Sequence, residues 1–300
     1  MSSTMLQLVQ QASKEMGLTP PVAVASNPAA DVVQLMALLT AAGQEITREF
    51  DWQKLVKAYF FETVYYQYTG DTTDGSITIT SMSSVAGLTT DFMVTGNGIN
   101  QDTSLSLVGG ASVRLDQAAT ATATGVDLTF GKVKYGLPSD YECLLNDTQW
   151  DKSKHWKMLG PETAQQWQWL KSGYISTGPR IRFRILGGYF TIWPMPTTVD
   201  VLGFEYRSNS WVVDGSSYLQ AFTADDQTCL YTDRLMILAL KKKYFEIKGF
   251  DTTALMRDYT RALEIEKAND QGAATLSMAP LPADLLITEN NLPDSGYGIQ

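Results

Sequence analysis

The sequence predicts an α+β protein: a helical core with a β-sheet extension, interrupted by a small all-β domain. Three observations carry this. Apolar residues recur at helical spacing near the start and again over 233–269. Short alternating runs between Ser, Thr and Gly fill residues 71–134. That window also has no proline, tryptophan, tyrosine or glutamate, and Phe92 and Phe130 are its only aromatics. Such sharp edges mark an insertion. The expected division is 1–70 plus 135–272 as one discontinuous core, 71–134 as an inserted sandwich or barrel, and 273–300 as an extended arm.

Met5, Leu8, Val9, Ala12 and Met16 share one helical face, with Ser2 to Thr4 as cap candidates and Gly17 as the stop. Residues 19–28 read as linker. Asn27-Pro28 then opens a second helix, striped by Val32, Leu35, Met36, Leu39, Ala42 and Ile46 and closed by Phe50-Asp51-Trp52. Residues 55–68, dense in aromatic and β-branched side chains, predict a strand. Inside the window, strands are expected at 77–79, 105–107, 113–115 and 126–130. Beyond it, Tyr135 to Asp140 reads as a strand ending in a turn, 139–146 as a short helical piece, and 150–172 as short helices over a sheet. Two β runs around Gly187-Gly188 signal a hairpin, ended by Pro194 and Pro196, with 199–206 as its third strand. Asp233 to Lys248 and Thr252 to Asn269 predict two helices, Gly249 stopping the first and Asp251 or Thr252 capping the second.

Composition excludes several classes of function. The 300 residues carry 23 Lys+Arg against 32 Asp+Glu, a net charge of −9, which argues against binding nucleic acid by phosphate neutralisation. The single histidine, His155, rules out a three-His zinc centre and is expected to pack beside Trp150 and Trp156. Two cysteines, Cys143 and Cys229, cannot form a zinc knuckle. No apolar run approaches the roughly 20 residues that span a bilayer. MSSTMLQLVQQ lacks a basic and an apolar signal region, so no signal peptide is expected. Gly96-Asn97-Gly98 lacks the third glycine of a dinucleotide loop, and no nucleophile elbow, P-loop or H-E-x-x-H motif occurs. No enzyme and no cofactor is expected. Asp225-Asp226 reads as a loop and cap element rather than a cation seat, and Lys241-Lys242-Lys243 as a solvated helix face.

The order of Asp51-Trp52, Tyr135-Gly136-Leu137-Pro138-Ser139-Asp140, Gly187-Gly188-Tyr189-Phe190 with Pro194-Met195-Pro196, Asp225-Asp226 and the Leu235 to Gly249 helix resembles the head-to-tail adaptor proteins of short-tailed bacteriophages, also called tail tubular or tail accessory proteins. The insert, through Gly87-Leu88, Val94 to Ile99, Val113-Arg114-Leu115 and Ala121 to Phe130, resembles a β-module recurrent in phage structural proteins, with Asp91 and Asp116 departing from its pattern. The resemblance implies a helical-bundle adaptor core in a non-enzymatic virion protein of the neck, assembled in the host cytoplasm. It implies a homo-oligomeric ring, dodecameric, that joins the portal protein to the tail nozzle or tube and supports genome packaging, retention and ejection. Genomic DNA would pass through the lumen without specific binding, and no membrane is involved. A tail-exterior, glycan-binding protein is the alternative, and a cell-wall hydrolase a weaker one, on unassigned carboxylates such as Asp225 and Glu205.

Two sets of residues are candidates for contact. Arg180, Arg182 and Arg184 alternate with Ile181, Phe183 and Ile185, so the three guanidiniums share one sheet face and suit a subunit or tail interface. In the arm, Leu281, Leu285, Leu286 and Ile287 are too apolar for a solvated tail, and we expect them to bind the portal.

Overall fold

The computed structural model describes residues 2–172 and 180–271. Five helices occur among them: α1 (Met5–Glu15), α2 (Ala30–Glu49), α3 (Ala164–Lys171), α4 (Asp233–Lys248) and α5 (Thr253–Gln271). The chain divides into two compact units. The described part of the first comprises 2–57, 140–144 and 206–271, and that of the second 58–139, 145–172 and 180–205.

In the first unit α4 packs against α1, α2 and α5. Each helix is set by local chemistry. Thr4 and Gln7 form a reciprocal capping box at the start of α1, and Gly17 at φ +73° follows its end. Asn27 accepts the Ala29 N–H, so α2 starts at Ala30, beyond the expected Asn27-Pro28 start. α4 ends on left-handed Gly249, and the Asp251 carboxylate accepts the Thr253 N–H at the head of α5. The helices enclose Met5, Leu8, Leu39, Ile46, Leu235, Met236 and Leu240 with Trp52, Trp211 and Tyr231. The Trp211 ring lies so close to α2 that a Cβ on Gly43 would sit 2.2 Å from it. A mid-helix glycine ordinarily weakens a helix by about 1 kcal/mol relative to alanine; here its absent side chain makes room for an indole. Below this layer the Thr47 hydroxyl meets the Tyr231 hydroxyl at 2.8 Å, and Trp52 Nε1 donates to the Ile46 carbonyl.

The second unit is mostly β. Strands Tyr65–Thr72, Ala123–Lys132, Phe92–Gly96, Thr103–Gly109, Ser112–Leu115 and Thr78–Ile79 form one antiparallel sheet in that spatial order. A bridge between Asp71 and Thr80 joins its two outer strands, so the sheet is a nearly closed barrel. Inward alternation fills it with Ile79, Phe92, Val94, Leu105, Val113, Leu115, Leu128 and Phe130. The expected insert, 71–134, lies within the second unit, and the barrel's first strand begins earlier, at Tyr65. A separate three-stranded sheet consists of Arg182–Leu186, Tyr189–Trp193 and Lys134–Gly136. Gly187 and Gly188 turn its hairpin with φ of +60° and +81°, the conformation that a two-residue turn between twisted strands requires. Phe183, Phe190 and Phe204 stack at 5.0 and 4.9 Å, and Phe61 meets both Phe190 and Tyr135.

Four expected elements are corrected. The single strand over 55–68 is two, Val56–Glu62 and Tyr65–Thr72. The helical piece at 139–146 is a strand, Tyr141–Leu144, because Tyr206–Ser208 offers it a pairing edge. Residues 150–172 hold two two-residue strands and one helix, α3, rather than several helices. The strand Val201–Ser208 does not join the hairpin: its Leu202 and Gly203 pair with Asp151 and Trp150, and the hairpin's third strand is Lys134–Gly136. Prolines 194 and 196 divert the chain after Trp193.

Two outcomes follow. Gly43→Ala should destabilise the protein by about 1–3 kcal/mol in urea unfolding, the cost of overpacking, although alanine is the better helix former. Because Tyr65–Thr72 pairs with Ala123–Lys132, replacing 65–132 by a Gly/Ser linker should preserve cooperative unfolding of the remainder better than replacing 71–134, which strands Tyr66 and Tyr68 without their sheet. Calorimetry of the two deletions compares them.

Candidate interaction surfaces

The hairpin displays the arginine row unevenly. The Arg182 guanidinium is committed within the chain, 2.6 Å from the buried Glu162 carboxylate. Arg180 and Arg184 are partly exposed and make no ion pair or side-chain hydrogen bond among the described residues. Opposite register partners Leu186 and Tyr189 flank the Gly-Gly turn and are 47% and 43% exposed. The hairpin tip therefore shows aliphatic and aromatic surface next to an unpaired guanidinium, the composition that protein interfaces favour. The sequence signal for Leu186 and Tyr189 was their position against Gly187-Gly188, which puts them at the tip. Nothing in the sequence marked Glu162 as the partner of Arg182.

The turn motif has a structural duty. Asp140, its last residue, accepts from the Lys57 ammonium at 2.7 Å, the Ser208 hydroxyl at 2.7 Å and the Tyr206 hydroxyl at 2.8 Å. Burial opposes its charge, but Lys57, Ser208 and Tyr206 outweigh this and hold the carboxyl below its ordinary value. Asp225 is likewise engaged, accepting main-chain N–H groups of Val24 and Ala25 at 3.0 and 2.8 Å. Asp233 takes the Ser3 N–H and hydroxyl. Asp225 and Asp233 thereby fasten main chain distant in sequence.

The lysine run is not a solvated face. Lys241 pairs with Glu15, Lys243 with Glu45, and Lys242 lies 4.4 Å over the Tyr259 ring. His155 is exposed in a turn at φ +58° instead of packed. Among the described residues no group of three or more His, Cys, Asp and Glu is placed to hold a metal ion. No described helix is long and apolar enough to cross a membrane. Leu281, Leu285, Leu286 and Ile287 lie outside the described residues.

Packed helices, antiparallel sheets and carboxylates engaged by main-chain and side-chain donors define an α+β protein. The sequence model of the SU10 adaptor protein family matches residues 108–282, more than half of the chain, and the chain belongs to that family. It is thus a phage virion adaptor protein, as the order of its motifs implied. No curated protein matches the chain.

The Asp140 cluster gives a pH test. A carboxyl held below its ordinary value stabilises the fold above the unfolded pKa, about 3.9, and loses that contribution as pH falls through the folded value. Asp140→Asn should cost about 1–3 kcal/mol at pH 7, and the gap to the parent should shrink as pH is lowered from 5 towards 2. Urea midpoints across that range measure it; a gap independent of pH would contradict the assignment.

Proposed function

We propose that this adaptor assembles as a ring of identical copies, expected to be dodecameric, between the portal and the tail nozzle or tube. The ring extends the channel through which the genome is packaged, retained and ejected. Family membership carries the reading, since an adaptor binds other virion proteins. A ring of identical subunits needs two different surfaces that meet head to tail. Arg180 and Arg184, with Leu186 and Tyr189 beside them, supply one such surface, and with a net charge of −9 per copy a neighbouring subunit offers carboxylates for guanidinium pairing. The same negative charge lets DNA pass without being gripped. In this reading the arm residues Leu281, Leu285, Leu286 and Ile287 engage the portal, repetition around the ring multiplying a modest single contact. The assembled protein belongs to the virion neck, after assembly in the host cytoplasm.

Native mass measurement of the purified chain, alone and with portal, tests the ring. Arg180→Glu with Arg184→Glu should abolish or weaken ring or tail association while leaving stability within about 0.5 kcal/mol. Arg182→Glu should instead lower stability by about 2–4 kcal/mol, because it sets two carboxylates against each other at Glu162. Truncation after Gly272 should leave a folded subunit that no longer joins portals. Unchanged assembly by the double variant would remove the hairpin from the interface.

A further inference from the structure

We infer that one face of the hairpin sheet carries a carboxylate socket, formed by Arg184, Thr191 and Lys134, that receives an Asp or Glu side chain of a second copy of the chain. Residues opposite one another in antiparallel strands share a face, with Cβ atoms about 5 Å apart. The register builds two rows on that face. In the first, Arg182 lies opposite Trp193; in the second, Arg184 lies opposite Thr191, and Thr191 opposite Lys134. The first row holds a carboxylate: Glu162, shielded from water, sits 2.6 Å from the Arg182 guanidinium. The second row has none. Arg184 and Lys134 make no ion pair among the described residues, and the three strands contain no Asp or Glu. Between the two cations the Thr191 side chain is 6% exposed, and its hydroxyl has no hydrogen-bond partner among the described residues. Trp193 Nε1, two residues further along the same face, is buried without an acceptor as well.

The missing group is identified by what the row offers. A guanidinium, an ammonium and a buried hydroxyl are all donors, and an ionised carboxylate is the side chain that only accepts and can take several of them together. Asp140 shows the same chemistry within this chain, where one carboxylate collects the Lys57 ammonium and the hydroxyls of Tyr206 and Ser208. Leu186 and Tyr189 border the second row on the side of the turn, so the partner is a protein surface with apolar area beside its acid rather than a free anion. A second copy supplies such an acid. The chain carries 32 Asp+Glu against 23 Lys+Arg, and Glu62, Asp127, Glu205 and Asp226 are exposed without an ion pair among the described residues. The inference rests on the ring reading and deepens it, adding the group that is recognised and two residues, Lys134 and Thr191, that recognise it.

Carbodiimide, which joins an ammonium directly to a carboxylate in contact with it, tests this on assemblies formed with portal from a mixture of isotopically light and heavy full-length chain. Lys134 should become linked to an Asp or Glu of another copy. No link, links only within one copy, or links only to another virion protein would overturn the inference. Thr191→Val supplies a second readout. Exchanging a buried, unsatisfied hydroxyl for an apolar group of the same shape is neutral or favourable, so urea unfolding of the free subunit should be unchanged or strengthened. Ring assembly should nevertheless weaken by about tenfold, the loss of one hydrogen bond to a charged group. Thr191→Ser keeps the hydroxyl and should restore assembly, and Lys134→Met, which keeps the aliphatic stem, should weaken it. A subunit destabilised by Thr191→Val whose assembly is unchanged would overturn the inference. If Arg180→Glu weakens assembly while Thr191→Val and Lys134→Met do not, the hairpin remains in the interface and the socket is excluded. Assembly indifferent to Arg180→Glu, Arg184→Glu and both socket variants excludes the interface itself.

Discussion

The Asp140 carboxylate is the constraint on which the rest of the first unit is arranged. It collects Lys57, Tyr206 and Ser208, which lie where the chain leaves or enters the helical layer. Each of these groups would be costly to strand. A lysine ammonium that is only about one-third exposed needs a counter-charge, and the two hydroxyls need acceptors. One carboxylate with several lone pairs serves all three at once. It sits in the turn at Ser139 and Asp140 that follows Leu137-Pro138. A motif that reads as a mere turn is thus the anchor for strands far apart in sequence.

A second polar anchor works beside the helices. Lys54 pairs with Glu266 and lies 4.7 Å over the Trp52 ring and 5.0 Å over Tyr231, while Asp270 caps the short 3-10 turn Gln53–Leu55 through the Gln53 N–H. Both partners of this pair are mostly shielded from water, which makes removing either one costlier than the pair's net contribution. The buried tyrosines respond to the same environment: desolvation raises the phenol of Tyr231 well above its ordinary value and pushes that of Tyr135 up to about 12. Neither phenol ionises in any ordinary working range. They serve as hydrogen-bonding posts.

How much of this was legible in the sequence depended on whether the signal was local. α4 runs over the residues its apolar spacing marked, and Gly249 ends it as expected, because propensity, period and cap agree. The Gly187-Gly188 hairpin is a local signal too. Pairing partners were not legible. Tyr141–Leu144 is a strand because Tyr206–Ser208 lies beside it, and that information resides some sixty positions away, a separation no local pattern encodes. The arginine row was visible as a row, yet only the fold reveals that Glu162 has claimed Arg182. Gly43 was unremarkable until the Trp211 ring was seen against it.

The way the units are threaded has a consequence for synthesis on the ribosome. The barrel is continuous in the chain, from Tyr65 to Lys132, so it can close as soon as that stretch has emerged. The helical layer cannot. The Met5 N–H bonds the Gln227 carbonyl, Ser3 is held by Asp233, and α1 and α2 both rest on α4. During synthesis α1 and α2 therefore emerge well before α4, the helix that covers their apolar faces. The barrel's outer strands, joined by the Asp71–Thr80 bridge, meanwhile offer little free edge for another nascent chain to seize.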